Sequence, residues 1–183
     1  QGYNVTCIDS LITGNKELLP KEVKLKIFDI SEREKVTDLI KSNNFDLVMH
    51  FAGLISVDES VEQPKRYRDF NFVKAKAFLG TCLKNNLKKI IFSSTAAVYG
   101  EPSSTPIKEN QKIAPVNPYG NTKAIVEKIL KDYEEAYGLK YISLRYFNAC
   151  GAHIDGTIGE RHDPETHLIP LILQSASGRR KDF

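Results

Sequence analysis

The segment KIIFSSTAAVYG, residues 89–100, decides the fold of this chain. Its apolar first half predicts a β-strand over Lys89 to Ser93, and hydroxyl side chains continue through Ser94 and Thr95 at the carboxyl end of the strand. Ligands of parallel sheets bind at the carboxyl ends of the strands, so these hydroxyls could hydrogen-bond a reacting alcohol. They are equally typical of a turn or a helix cap.

Similar apolar runs alternate with helical patterns along the whole chain. Further strands are predicted at residues 3–9, 24–30, 45–51 and 140–146. Helices are predicted after the capping-box pattern Ser31-x-x-Glu34, from Pro64 to Asn85-Asn86, from Pro118 behind the cap residue Asn117, and over Leu168 to Ala176. This order predicts an α/β fold with a doubly wound parallel sheet.

The composition narrows the class of protein. The chain has 183 residues, 41% of them hydrophobic, which suffices for one domain with a buried core. A net charge of +3 is too small to indicate a nucleic-acid partner. The longest nearly uncharged apolar stretch, Leu47 to Ser56, is about half of the roughly 20 residues that a membrane span needs. We therefore expect neither nucleic acid nor a membrane as a partner.

Cysteine and histidine usage indicates the cellular setting. Three cysteines, far apart in sequence, favour a reducing, cytoplasmic location over a disulfide framework. The four histidines show no H-x-x-x-H spacing, so no metal site is expected. His50 lies inside an apolar strand and is interpreted as a core residue. The first residues show no signal peptide and no initiator Met, so we expect the numbering to begin inside a longer chain.

Acidic and small residues follow the first three predicted strands. Asp9 could accept hydrogen bonds from both hydroxyls of an adenosine ribose, and its charge would repel the 2′-phosphate of NADP. Asp29, followed by Ile30, could meet an adenine amino group. Either acid could instead cap a turn. The segment Phe51-Ala52-Gly53 would let a flat ligand approach the backbone, or would form a tight turn.

The strongest local pattern is Tyr119-Gly120-Asn121-Thr122-Lys123. Tyr119 and Lys123 are four residues apart, so they share one face of the predicted helix. A neighbouring ammonium favours the phenolate, so the sequence predicts a lowered pKa for Tyr119 and an acid/base usable at neutral pH. The spacing is common by chance on surface helices, and it gains weight from following the hydroxyl-bearing strand end by about 24 residues.

Together these segments resemble the extended short-chain dehydrogenase/reductase family, over essentially the whole chain. The matching motifs are HFAGL (50–54), ES (59–60), IFSSTAAVYG (91–100), PYGNTK (118–123), LRYFNACGA (144–152) and IGERHDPETHLIPL (158–171). The last two motifs, taken together, are similar to the nucleotide-sugar epimerases of this family, and the second of them to the bacterial type.

The resemblance implies a role for each matching residue. Tyr119 would be the catalytic acid/base, Lys123 would hold the nicotinamide ribose, and Thr95 would relay a proton to the sugar. The residues implied to bind the cofactor are Asp9, Asp29, Ile30, Phe51, Ala52, Gly53, Asn71, Ser94, Tyr119, Lys123 and Phe147. Those implied to bind the substrate are Thr95, Tyr119, Asn148, His167 and Leu168.

The resemblance also implies a reaction. It is the interconversion of UDP-glucose and UDP-galactose by transient oxidation at C4 of the sugar, with tightly held NAD as cofactor. Residues 1–150 would form part of a Rossmann-like NAD-binding domain, and 151–183 the start of a nucleotide-sugar-binding region. A homodimer built on the helices around 67–83 and 118–137 is a family expectation.

Two departures from the family pattern stand out. Ile55 occupies a position where some members carry Lys, so one polar cofactor contact is expected to be missing. The glycine-rich G-x-x-G-x-x-G loop does not occur in the sequence. We expect that loop and the first strand to precede Gln1, leaving a slot between the strands that end at Asp9 and Phe51. We therefore expect the 183 residues alone to be inactive, to hold NAD weakly, and to aggregate or be only marginally folded.

Other functions remain open on the sequence alone. A 4,6-dehydratase of the same family carries Asp-Glu after the strand-end Thr, whereas Ala96 and Ala97 stand here. Alanine cannot protonate a leaving hydroxyl, so the dehydratase is disfavoured. A decarboxylase, a reductase and a non-catalytic binding protein lacking the cofactor loop are the remaining alternatives.

Cofactor choice is testable in the protein that contains this chain. We predict tighter binding of NAD than of NADP because Asp9 ends the first strand and Ser10-Leu11 offer no Arg for a 2′-phosphate. Binding titrations on the cofactor-free protein measure both affinities, and equal affinities would remove the assignment of Asp9 to the ribose.

Overall fold

The computed structural model describes residues 2–162 and 164–181, which form five parallel strands and six α-helices. The strands are β1 (Thr6–Asp9), β2 (Lys24–Ile27), β3 (Val48–His50), β4 (Lys89–Thr95) and β5 (Lys140–Tyr146). β1 pairs with β2, and β3, β4 and β5 form a second sheet in that order. Every strand pair is parallel, so the α/β prediction is confirmed.

The helices lie between the strands, as in other parallel α/β folds. They are α1 (Arg33–Lys41), α2 (Val57–Glu62), α3 (Pro64–Tyr67), α4 (Ala75–Lys84), α5 (Pro118–Tyr137) and α6 (Leu168–Ala176). A π-helical segment, Arg68–Lys74, joins α3 to α4, so the predicted long helix after Pro64 is continuous but locally underwound, with more residues per turn. Short 3₁₀ turns occur at Lys16–Leu18 and Ala96–Tyr99. Among the described residues, no helix is long and apolar enough to cross a membrane.

One face of the three-stranded sheet is buried by α4 and α5. Ile90 and Phe92 of β4 are each 1% exposed and pack with Leu79, Val126 and Leu130 of the two helices. Their neighbours in register, such as Val48 on β3 and Tyr141 on β5, pack against the same cluster. Side chains alternate across a strand, so the row of Met49, Ile91 and Ile142 points to the opposite face. Met49 and Ile142 are exposed there.

A second apolar cluster connects the two sheets. Val36 of α1 and Phe78 of α4 pack with Ile8 of β1, and also with Val48 of β3. Among the described residues no strand pairs with both sheets, which agrees with the expected slot between β1 and β3. His50, at the end of β3, lies between the rings of Phe78 and Phe92, with ring centroids 5.5 and 5.8 Å away. Burial, and then the charge of Lys123, lower the pKa of His50 to about 3, so this histidine is neutral.

Three local predictions were wrong in detail. The first three strands are shorter than their apolar runs. β1, for example, starts at Thr6: Tyr3 and Val5 are exposed, although the Val5 carbonyl still accepts a hydrogen bond of 3.3 Å from the amide of Lys24. The capping box at Ser31 does not form: α1 begins at Arg33 behind Glu32, and the Ser31 hydroxyl donates to Asp29 instead. α2 was not predicted, although Ser56 caps it by accepting a hydrogen bond from the amide of Glu59.

The predicted N-cap of α5 is confirmed, and its contribution is measurable. The Asn117 side chain accepts a hydrogen bond of 2.7 Å from the amide of Gly120. We predict that Asn117→Ala lowers the free energy of unfolding by about 1 kcal/mol, the usual cost of losing a cap. Asn15, the N-cap of the first 3₁₀ turn, makes no side-chain cap bond, so Asn15→Ala is the matched control. Denaturant unfolding of both variants gives the comparison, and equal losses would contradict the prediction.

Candidate active site

The structure brings Thr95, Tyr119 and Lys123 together at the carboxyl end of β4. Thr95 is the last residue of that strand, and Tyr119 and Lys123 lie one turn apart at the start of α5. The Thr95 hydroxyl lies beside the Tyr119 phenol and acts to lower its pKa. It accepts a hydrogen bond of 3.2 Å from the amide of Ala97, so the helix-cap interpretation of Thr95 is realised.

Lys123 is buried, and its ammonium is held by the backbone. Nζ donates a hydrogen bond of 2.9 Å to the carbonyl oxygen of Ser93 and lies 5.2 Å from the centre of the Phe92 ring. Only 4% of the residue is exposed. Burial lowers the pKa of Lys123 to about 8, because the charged ammonium has lost most of its hydration.

The predicted lowering of the Tyr119 pKa by Lys123 was wrong for the chain as it stands. Burial raises the pKa of Tyr119, and the neighbouring Thr95 hydroxyl opposes that shift only in part. The Lys123 ammonium lies 5.9 Å from the centre of the Tyr119 ring and is directed at Ser93, not at the phenol oxygen. Desolvation therefore outweighs the charge, and Tyr119 is protonated at neutral pH.

The loop after β3 is clamped by Asn71. This buried residue lies in the π-helical segment, where Oδ1 accepts from the amide of Leu54 at 2.7 Å and Nδ2 donates to its carbonyl at 2.8 Å. Gly53 has φ +156°, and a Cβ there would lie 3.0 Å from Asn71 Oδ1 and 3.7 Å from Lys123 Nζ. The backbone of Gly53 therefore approaches the ammonium closely, which only glycine allows. Asn71 acts on this loop through its side chain, beside the predicted cofactor residues.

Sequence reasoning missed Glu127, one turn beyond Lys123 on α5. Its buried carboxylate receives two hydrogen bonds from Arg145 on β5, of 3.0 and 2.7 Å, and one from the hydroxyl of Ser94 on β4. Arg145 also donates to the Tyr99 hydroxyl at 2.7 Å. The spacing of four residues from Lys123, with an Arg at the end of β5, was the available signal. The Ser94 hydroxyl is thus engaged inside the protein.

The two acidic strand ends are both used locally. Asp9 Oδ1 accepts a hydrogen bond of 2.7 Å from the amide of Leu11. Asp29 accepts from the amide and hydroxyl of Ser31, and its Oδ2 lies 2.5 Å from Lys74 Nζ. Burial opposes ionisation of Asp29, but these bonds and the Lys74 charge lower its pKa overall. The turn-capping interpretation is realised at both positions. The Asp9 carboxylate accepts fewer hydrogen bonds than that of Asp29.

The remaining predicted residues lie at the surface of the described chain. Phe51 and Ala52 are exposed after β3, and Phe147 and Asn148 are exposed after β5. Ile30 is half-buried next to the second apolar cluster. His167 and Leu168 are the cap and first residue of α6. The structure does not bring these side chains into contact with Tyr119, so their assignment to cofactor or substrate stays a prediction.

Comparisons with known proteins assign this arrangement to a class. The model of the NAD dependent epimerase/dehydratase family matches residues 1–181, so the chain belongs to that family. The curated UDP-glucose 4-epimerase of Halalkalibacterium halodurans is 44% identical over 181 residues, covering 99% of this chain and 54% of that protein. The one from Rhizobium meliloti is 42% identical over 183 residues, covering 100% of this chain and 56% of that protein.

Solved structures agree with the sequence relatives. The UDP-glucose 4-epimerase of Brucella ovis in complex with NAD has a TM-score of 0.94 at 42% identity, over 100% of this chain and 56% of that chain. The one from Bifidobacterium longum, in complex with NAD⁺ and UDP, has a TM-score of 0.91 at 36% identity, over 99% of this chain and 57% of that chain. The predicted Rossmann-like fold is confirmed, and the chain spans about half the length of the relatives it matches.

Burial of Lys123 predicts a pH dependence of stability. The pKa of Lys123 is about 8 in the folded chain and has a reference value of 10.5, so between these values the unfolded chain binds more protons. The free energy of unfolding should therefore rise with pH in this window, by up to about 1.4 kcal/mol per pH unit, and be unaffected by this group below it.

Lys123→Met removes that titration and keeps most of the side-chain volume. We expect the stability difference, wild type minus Lys123→Met, to increase from pH 8 to pH 10, as measured by denaturant unfolding at each pH. The tyrosines and cysteines that also titrate there are common to both proteins and cancel in the difference. A difference that is constant or falling over this range would contradict the assignment.

Proposed function

We propose that the protein containing this chain is a UDP-glucose 4-epimerase and that this chain carries its acid/base residues. The observation that carries the proposal is the placement of Thr95 beside Tyr119, with buried Lys123 one turn further along α5. Relatives at about 42–44% identity over nearly the whole chain bear that name. The isomerase interpretation therefore rests on geometry and on likeness together.

The residues at the carboxyl end of β3 and β4 fit a nicotinamide nucleotide. Gly53 offers backbone without a side chain beside the ammonium of Lys123. Phe51, two residues earlier at the end of β3, exposes an apolar ring. Asp9 retains a carboxylate oxygen, Oδ2, that takes no hydrogen bond from the described residues, as a ribose contact requires. Lys123 would hold the nicotinamide ribose, and NAD, when bound, would supply a reversible hydride acceptor and a cationic ring.

The proton would move between Thr95, at the end of β4, and Tyr119. Thr95 is placed to receive the proton of the sugar 4-hydroxyl and pass it to Tyr119. Because burial raises the pKa of Tyr119, the phenol needs more positive charge nearby than Lys123 alone supplies before it acts as a base. Tyr119 would thus become a base only in the loaded site and would return the proton after the sugar has presented its other face.

The substrate and assembly belong to the same proposal. Asn148 after β5, and His167 and Leu168 at the start of α6, would contact the UDP-sugar, with residues 1–150 serving NAD and 151–183 opening the sugar-nucleotide region. A cytoplasmic homodimer acting in galactose metabolism fits this assignment. The dehydratase alternative is not supported, because Ala96 and Ala97 form a 3₁₀ turn without an acid or base.

Replacing the acid/base tests the function directly. In the protein containing this chain, we predict that Tyr119→Phe lowers turnover of UDP-galactose to UDP-glucose by about 10²–10⁴-fold, the usual range for a general acid/base. Tyr137→Phe, the same change at an exposed position on α5, is the control and should leave turnover unchanged. Retention of more than half of the activity in Tyr119→Phe would rule out Tyr119, and no conversion by the wild type would rule out the proposed reaction.

A further inference from the structure

Outside the candidate active site, one segment gathers four side chains that commonly bind metals. Glu160, His162, Glu165 and His167 each offer one ligand atom, and these atoms all lie within 4.8 Å of one another. The rings of the two histidines are adjacent, with centroids 4.4 Å apart. The search for H-x-x-x-H spacing did not find this pair because His162 and His167 are five residues apart, not four.

The segment is fixed at both ends by local structure. An antiparallel bridge between Ala152 and Gly159 holds the chain just before Glu160, and the amide of His153 donates to the carbonyl of Ile158 at 2.7 Å. α6 begins at Leu168, directly after His167. Backbone contacts therefore hold the chain on both sides of the four side chains.

Three of the distances between nitrogen and oxygen atoms of the cluster are close to those between the ligands of a tetrahedral cation. His162 Nδ1 lies 3.5 Å from Glu160 Oε1 and 3.4 Å from Glu165 Oε2, and His167 Nδ1 lies 3.7 Å from Glu160 Oε1. Atoms bound tetrahedrally to Zn²⁺ at about 2.0–2.1 Å lie about 3.3–3.4 Å apart. Ordinary N–H···O hydrogen bonds are shorter, about 2.7–3.2 Å, and one Nδ1 proton cannot serve two carboxylates at once.

The shortest contact in the cluster is a hydrogen bond. His167 Nδ1 lies 2.9 Å from Glu165 Oε1, which also accepts from the amides of Thr166 and His167. The Glu165 carboxylate is therefore held in place by the backbone at Thr166 and His167.

We propose that Glu160, His162, Glu165 and His167 form a zinc-binding site that fixes the segment before α6. Two imidazoles with two carboxylates are a set of four nitrogen and oxygen ligands, which suits Zn²⁺. Ca²⁺ and Mg²⁺ require six or more oxygen ligands and are disfavoured here. Coordination through Nδ1 leaves Nε2 of His167 available for another ligand, so the site is compatible with the proposed substrate contact and independent of it.

The test uses the metal alone. The protein containing this chain is freed of metal with a chelator, and zinc sulfate is titrated by calorimetry, with magnesium chloride as a parallel titration. We expect one zinc ion per chain and no comparable binding of magnesium. His162→Ala and His167→Ala should each weaken zinc binding by at least about 10-fold, the lower end of the effect seen for groups that only support a ligand.

A matched histidine makes the experiment decisive. His153 is exposed and pairs with Asp155 at 2.8 Å, outside the cluster, so His153→Ala should bind zinc as the wild type does. Glu165→Gln keeps the shape of the segment and should also lose affinity, and the visible absorption of bound Co²⁺ reports tetrahedral geometry. Absence of saturable one-to-one binding, or equal affinity in the His153, His162 and His167 variants, would overturn the proposal.

Discussion

The carboxylate of Glu127 holds together the three elements that carry the candidate active site. It is buried in α5 and hydrogen-bonded to Ser94 on β4 and Arg145 on β5, and these two residues are themselves neighbours in register. Thr95 follows Ser94 directly, and Lys123 lies one turn before Glu127 on α5. The rotation of α5 about its axis is therefore fixed relative to the strand end, which is what keeps Tyr119 opposite Thr95.

The same burial that positions the site makes it costly. Lys123 keeps one hydrogen bond, to the carbonyl of Ser93, in exchange for most of its hydration, and its pKa falls to about 8. The Arg145–Glu127 pair is better compensated: it is bidentate, and the hydrogen bonds that Arg145 donates to Glu127 raise the pKa of Arg145. The Arg145–Glu127 pair thus lies one turn of α5 beyond Lys123. A general acid/base whose charged partner is poorly solvated is responsive to any further charge that a ligand brings.

The sequence allowed the fold class, and the grouping of Thr95 with Tyr119 and Lys123, to be predicted, for identifiable reasons. β5 and α6 were predicted with their observed boundaries, and Asn117 as the cap of α5, because apolar periodicity and cap residues are local properties. The ends of β1 to β3 depend on which strand lies alongside, which is not a local property. The role of Glu127 was not predicted because its hydrogen-bond partners are 18 and 33 residues away in sequence. The Tyr119 pKa was misjudged because spacing along a helix says nothing of burial.

Asp9 and Asp29 both lie at or just after the end of a strand, but their carboxylates differ in how many of their oxygens are already hydrogen-bonded. Both carboxylates cap their own turns. Asp29 uses Oδ1 for Ser31 and Oδ2 for Lys74, so another ligand would have to displace an ion pair. Asp9 uses only Oδ1, for the amide of Leu11, and a Cβ at Gly14 would lie 2.7 Å from its Oδ2. Glycine at position 14 keeps that oxygen clear. Asp9 therefore keeps a carboxylate oxygen that takes no hydrogen bond from the described residues, whereas both oxygens of Asp29 are engaged.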